Sequence, residues 1–438
     1  MAILSKEEAK QIIDKVLSYA SADETQVSVS GGRTGNIRYA RNTVNTSGES
    51  NAITVSVTSV YGKKSGVATG NELDDEALKR IVKKAEEIAE LAPENPEYMP
   101  MLGPQDYPET KNFSQKTADI DPTYRAKAAM DSIEVSNTGN LTAAGYLEDF
   151  AGFTAMGNSR GMFGYNKSSS VDFSVTVRTS DGTGSGYAIR DFNDAGLLNA
   201  KNVTEISAQK AQASTNAQAI EPGKYTVILE PTAANDLLRL LAFNMDARSA
   251  DEGRSFLSKR GGGTRLGEKL FDERVNIFSD PMHPELPGRP WNNEGLPSEK
   301  ITWVENGAVK NMFYSRYWAD KQGVEPVGRP TGIIFEGGNE SLADMIRNTQ
   351  RGVLVTRFWY IRAVDPQTLL YTGLTRDGTF YIEDGQIKFP VKNFRFNESP
   401  VIMLNNIEAM GKPQRAGGNL IPPMKIRDFT FTSLSDAV

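Results

Sequence analysis

Hydrophobic and polar positions alternate with different periods along the chain, and each change of period marks an element. Ala9, Ile12, Ile13, Val16 and Leu17 recur on one face of a 3.6-residue repeat, and Ser5 and Glu8 have the spacing of a capping box, so a helix is expected over 6–19. From Ala52 the period falls to two. The stretch "AITVSVTSVYGKKSGVA" reads as a half-buried strand, a glycine turn and a returning strand. A charged amphipathic helix follows over 74–91. The same order returns 120 residues later, where "DFSVTVRTSDGTGSGYA" starts at Asp172. Gly62, Ser65, Gly66 and Ala68 match Gly182, Ser185, Gly186 and Ala188. Asp121 and Pro122, an N-cap followed by a first-turn proline, open a helix to about residue 135 ahead of this second copy. An Ala-rich helix over 204–218 closes it. The repeated glycines read as turn formers, and neither Ser65 nor Ser185 has a His or Lys at a motif spacing to activate it.

The second half is mostly strand. "WVENGAVKNMF" and "YIEDGQIKFPV" carry Asn-Gly and Asp-Gly, the strongest local hairpin signal. Between them lie a long apolar strand, "RGVLVTRFWYIR", and a short helix, "SLADMIRNTQRG", with Ser341 as N-cap. Behind the strand "KYTVILE", residues 232–247 read as a helix apolar almost all round, with Arg239 in its middle. Such a helix is expected to be buried, and a buried guanidinium needs an acid. The fold class is therefore α+β. Two duplicated helix–antiparallel-strands–helix units are expected over 1–92 and 117–222, joined by a Pro-rich linker over 93–116. A β-rich C-terminal domain over 223–438 should hold a closed or strongly curved antiparallel sheet, with the 232–247 helix packed on it.

Composition narrows the chemistry. The 438 residues carry a net charge of −6, which leaves no electrostatic footprint for nucleic acid. No apolar run approaches the roughly 20 residues that cross a bilayer. The start, "MAILSKEEAK", lacks the basic and apolar regions of a signal peptide, and zero cysteines fit a cytoplasmic protein. There is one histidine, His283, in the Pro-rich stretch 282–295, with no nucleophile elbow beside it. Catalytic zinc takes three protein ligands, so one His and no Cys leave no conventional zinc site. Two clusters remain as binding candidates. The Gly-rich basic loop 259–268, with Arg265, could cradle an anion, although glycine clusters first of all mark loops. Residues 372–385 gather Arg376, Asp377, Glu383 and Asp384 around what reads as a turn, where two acids beside an Arg could do acid–base work or form a solvated hairpin end.

Read in order, "EGRSFLSKRGGGTRLGEKL", "NNEGLPSEK", "VENGAVKNMFYSRYWADKQG", "TRFWYIR" and "TGLTRDGTFYIEDGQIKFPVKNFRF" closely resemble the TldD/PmbA family, named as modulators of DNA gyrase and associated with a cytoplasmic metalloprotease. "SGVATGNELDDEALKRIVKKAEEIA" resembles the family's N-terminal unit, so the resemblance spans nearly the whole chain. The resemblance implies an active TldD subunit with His-Glu-x-x-x-His on a helix after a strand. Its histidines bind zinc with a Cys from near the C-terminus, and its Glu serves as general base. The partner, PmbA or TldE, shares the fold without the motif. Here Arg239 stands at the first His, Leu240 at the Glu and Asn244 at the last His, and "GKPQRAGGNLIPP" holds no Cys. The resemblance thus implies a metal-free PmbA/TldE-type subunit, with zinc only in a TldD-like partner and unfolded peptide as substrate. The alternative is a homodimeric peptide- or ligand-binding protein without catalysis. Arg239 is expected to fill the old metal position by pairing with a buried acid.

Overall fold

The structure, a computed structural model, describes residues 3–435. Residues 1–2 and 436–438, inside the first and last expected units, lie outside the described residues.

The two copies build one sheet. Strands β1 (Glu24–Ala40), β2 (Thr43–Tyr61), β3 (Lys64–Gly70), β4 (Leu141–Asn158), β5 (Phe163–Thr179) and β6 (Ser185–Phe192) lie in the order β3-β2-β1-β4-β5-β6, every pair antiparallel. The β1–β4 register sets Gly32 opposite Gly152, its own counterpart in the repeat, so the local two-fold axis passes between them. A Cβ on Gly32 would stand 2.6 Å from the Ala151 carbonyl oxygen, and one on Gly152 2.4 Å from that of Gly31. Glycine on the axis is what lets the two copies pair this closely.

Helices cover one face of the sheet. Lys6–Tyr19 and Asp75–Leu91 bury Ile13, Val16, Leu78 and Ala85 against Val27, Val29, Val55 and Val57. Pro122–Thr138 and Ala200–Ala213 do the same over Leu147, Phe173, Val175 and Val177. The Ser5–Glu8 capping box and the Asp121 cap form as expected. The Ala-rich helix starts four residues before its expected position, because the Asn199 side chain accepts the Asn202 N–H and caps it there, and it stops five short with Ser214 as C-cap. The repeated glycines divide their work. Gly62 and Gly182 take φ of +59° and +73° in the turns. Gly66 and Gly186 instead let a helix lie on the strand: a Cβ would meet the Ala85 carbonyl oxygen at 2.2 Å and that of Ser207 at 2.0 Å.

In the second half, strands Gly223–Leu229, Arg351–Asp365, Leu370–Glu383, Phe394–Glu398 and Met424–Leu434 pair in a closed circuit, a five-stranded barrel. One pair, Gly223–Leu229 with Arg351–Asp365, is parallel, so the sheet is not wholly antiparallel as expected. A parallel neighbour needs a long crossover, and the 121 residues between these strands supply it. The barrel core is aromatic: Phe358 and Phe396, and Phe394 and Phe431, each have ring centroids 4.5 Å apart. A second sheet of six short strands, from Ile277–Ser279 to Asn419–Ile421, lies beside it. Asn306-Gly307 and Asp384-Gly385 all have φ between +49° and +77°, as the tightest hairpin turns require. Ser341 caps Leu342–Arg347 in a capping box with Asp344.

Candidate functional site

The helix that carries Arg239 and Leu240 runs Pro231–Phe243, with proline in its first turn and Asn244 as C-cap. It stops before residue 247 because Asp246 starts a new helix, Ala247–Asp251, by accepting the Ser249 N–H at 2.7 Å. Ala233, Ala234, Leu237, Leu238 and Leu241 bury one face against the barrel strands and the second sheet. The other face is a single stripe at spacings of three and one: Asp236, Arg239, Leu240, Phe243 and Asn244 are exposed or half-buried.

This stripe corrects the buried-helix expectation. Arg239 is 56% exposed and its acid, Asp236, lies 4.0 Å away one turn back. With the guanidinium in solvent, a pair at this distance contributes little stability. Leu240 is half-buried against the core, and the Asn244 side-chain amide is spent on the Leu240 carbonyl oxygen at 2.8 Å and the Tyr371 hydroxyl at 3.1 Å. The three positions that the resemblance aligns with zinc ligands and base thus share one face and carry a guanidinium, an alkyl group and a committed carboxamide. These residues do not fit zinc. Among the described residues no three His, Asp or Glu side chains gather as a metal site. Asp236, missed in the sequence, is the group of interest on the stripe: burial pushes its carboxyl up to about 6, against the Phe358 N–H it accepts and the nearby charges of Arg239 and Arg357.

His283 is half-buried in its own turn, where Nδ1 accepts the Glu285 N–H at 3.3 Å. The Gly-rich loop closes on itself. The Lys259 N–H donates to the Gly263 carbonyl, the Gly262 N–H to that of Lys259, and Lys259 pairs with Glu268 at 2.9 Å. Those amides are thereby spent inside the loop. Arg265 is half-buried within it, its backbone N–H donating to the Leu257 carbonyl at 2.8 Å.

Residues 372–385 do not form a turn around Asp377. They belong to one strand, Leu370–Glu383, and only Asp384-Gly385 turn. Thr356 stands opposite both Asp377 and Gly378, a bulge that puts Asp377 at φ +54°. The bulge aims its side chain at β6, where it is 3% exposed. Oδ1 accepts the Ser185 hydroxyl at 2.5 Å, and Oδ2 accepts Arg357 Nε at 2.7 Å. Arg376 stands 3.7 Å from Oδ2. The Arg357 guanidinium lies 3.7 Å from the Tyr187 ring centroid, and Arg376 lies 4.9 Å from that of Trp359. Arg376 and Asp377 therefore come together, while Glu383 is exposed roughly 20 Å further along the strand. With both oxygens engaged, Asp377 ties the repeat to the barrel beside a cavity of about 330 Å³ and has no free oxygen for acid–base work. Arg415 makes a second tie, to Asp191 at 2.8 Å. Ser185, Tyr187 and Arg357 were missed because they join segments far apart in sequence. The Asp-Gly dipeptide was the available signal, and it reads as a turn before it reads as a bulge.

Comparison with known proteins places the whole chain. The model of the PmbA/TldA metallopeptidase C-terminal domain matches residues 222–433, domain 1 of the same metallopeptidases matches 25–89, and their central domain matches 106–215. Metalloprotease PmbA of Escherichia coli is 22% identical over 396 residues, covering 84% of each chain. Among solved structures, a Thermotoga maritima protein named for modulation of a DNA gyrase superposes with a TM-score of 0.87 at 18% identity, over 97% of this chain and all of that one. TldE from Thermococcus kodakarensis superposes at 0.85 with 20% identity, over 97% and 99%. These likenesses cover the duplicated sheet, the barrel and the helix between them, and the chain belongs to the PmbA/TldD family of metallopeptidase-related proteins.

Proposed function

We propose that this chain is the non-catalytic, PmbA/TldE-type subunit of a TldD/TldE-type protease that acts on unfolded peptides in the cytoplasm. One observation supports the reading most: the helix Pro231–Phe243 turns a face outward that bears Arg239, Leu240 and Asn244, where the resemblance puts the family's zinc motif. The absence of cysteine also removes the family's third ligand. The partner is a TldD-like subunit that brings its own zinc, and the role of this chain is to shape the chamber in which peptide is held. Among the described residues no helix is long and apolar enough to cross a membrane.

The test is cleavage of labelled, unfolded casein by this chain alone, by a TldD-like subunit from the same source, and by the mixture, each with and without chelator. The mixture should exceed the partner's own rate, and this chain alone should release nothing. Chelator-sensitive cleavage by this chain alone overturns the proposal. Silence in every mixture points to the homodimeric binding protein instead.

A further inference from the structure

The stripe on helix Pro231–Phe243 ends in a pocket of about 450 Å³, lined by Phe243, Asp246, Arg254 and Arg329 among others. Its charge runs against that of the chain. The whole carries −6, whereas two arginines face this pocket and Arg239 stands one turn back from Phe243 on the same stripe. The acid in the lining, Asp246, has one oxygen committed to capping the next helix. Its other oxygen meets Arg329 only at 3.5 Å.

Arg329 is held by its flat face. Its guanidinium carbon lies 4.1 Å from the Phe313 ring centroid and 5.6 Å from that of Phe243. Stacking uses the face of a guanidinium and leaves its N–H edge for in-plane acceptors, the geometry that receives a carboxylate with two parallel bonds. Arg254 is turned toward Glu252 and adds charge rather than a free fork. With Arg254 matched by Glu252, Arg329 and its looser acid, Asp246 at 3.5 Å, are what an incoming anion meets, and one guanidinium fork suits a single carboxylate. The Phe243 ring, 68% exposed, offers an apolar wall beside it. The volume is in the range of small-ligand sites, about 300–1,000 Å³.

We propose that this pocket binds the free C-terminal carboxylate of an extended peptide, with Arg329 as its bidentate partner and Arg254 as supporting charge. The inference deepens the peptide-handling reading and rests on it for the ligand's identity. It needs neither the partner subunit nor cleavage, so either can fail alone.

The experiment is fluorescence anisotropy on the purified chain with an N-terminally labelled hexapeptide ending in Phe, as free acid and as C-terminal amide, with acetate and inorganic phosphate as competitors. The acid should bind at least about tenfold tighter than the amide, one well-made charged contact. Acetate should compete at least as well as phosphate. Arg329→Gln should abolish the preference, Arg329→Lys should keep part of it, and Arg254→Gln should weaken it a few-fold, all at an unchanged melting temperature. Equal binding of acid and amide, a preference that survives in Arg329→Gln, or no binding of either peptide overturns the proposal. Displacement by phosphate well below the acetate concentration also overturns it, by assigning the pocket to free anions.

Discussion

The two copies of the repeated hairpin share a pattern and differ in what they touch. On the helix-covered face they are equivalent, since Gly66 and Gly186 each admit a helix backbone that no side chain would allow. On the other face they part. Ser65 is exposed, while Ser185 is buried against Asp377 of the barrel, and Asp191, further along the same strand, is bound by Arg415. Under the helices the copies differ again. Val29 and Phe153 are apolar, and their counterparts Asp149 and Arg33 form an ion pair at 3.1 Å, shared with the buried Arg125. A duplicated fold can thus keep its pattern of periods and glycines while one copy takes on the charged contacts that dock it to a third domain.

That comparison can be broken most strongly at Asp377. Asp377→Ala leaves Arg357 and Arg376 without their shared carboxylate and should cost about 4 kcal/mol in urea unfolding. Glu383→Ala, at the exposed end of the same strand, should cost under about 0.5 kcal/mol. Equal, small losses would mean that the docking contacts carry no weight. Gly66→Ala and Gly186→Ala should each cost about 3 kcal/mol, since a Cβ would overlap a helix carbonyl in both copies. A loss in only one would deny the equivalence of the helix faces.

A smaller effect depends on pH. Asp172 pairs with Asp191 across β5 and β6, and its counterpart in the first copy is the exposed Ala52. Burial, and then the Asp191 charge, push the Asp172 carboxyl up to about 6, against the pull of Arg415. The folded chain then holds this proton more tightly than the unfolded chain. Its stabilising effect is full below about pH 4 and is lost as the pH rises through about 6. Asp172→Asn should therefore match the wild type at pH 4 and gain about 1–2 kcal/mol over it at pH 7.5. A variant whose difference from wild type does not change with pH would remove the argument. Smallest is the serine pair: Ser185→Ala should cost about 1.5 kcal/mol and Ser65→Ala nothing measurable by the same unfolding assay.

Periodicity carried much of the fold. The Ser5–Glu8 capping box, the Ser341 cap, the turns at Asn306 and Asp384, the duplicated units and the curved second-half sheet follow from local chemistry that tertiary contacts did not override. The site was legible only in part. A helix with one charge reads as core, yet Asp236, Arg239 and Asn244 already had the spacing of an outward stripe. Asp377 was noticed, but its partners lie 20 and 192 residues away, and no local pattern announces such a pairing. The parallel barrel pair escaped for the same reason, because it is closed by a crossover rather than a turn.

The proposed function requires that the helix Pro231–Phe243 hold no zinc. The most direct measurement is zinc titration of the purified, chelator-stripped chain by calorimetry, with the retained metal counted after dialysis. No stoichiometric binding is expected, and the same result when Arg239 is replaced by Met, which should shift stability by less than about 0.5 kcal/mol. One tightly held zinc per chain, lost on changing residues of the stripe, would contradict it.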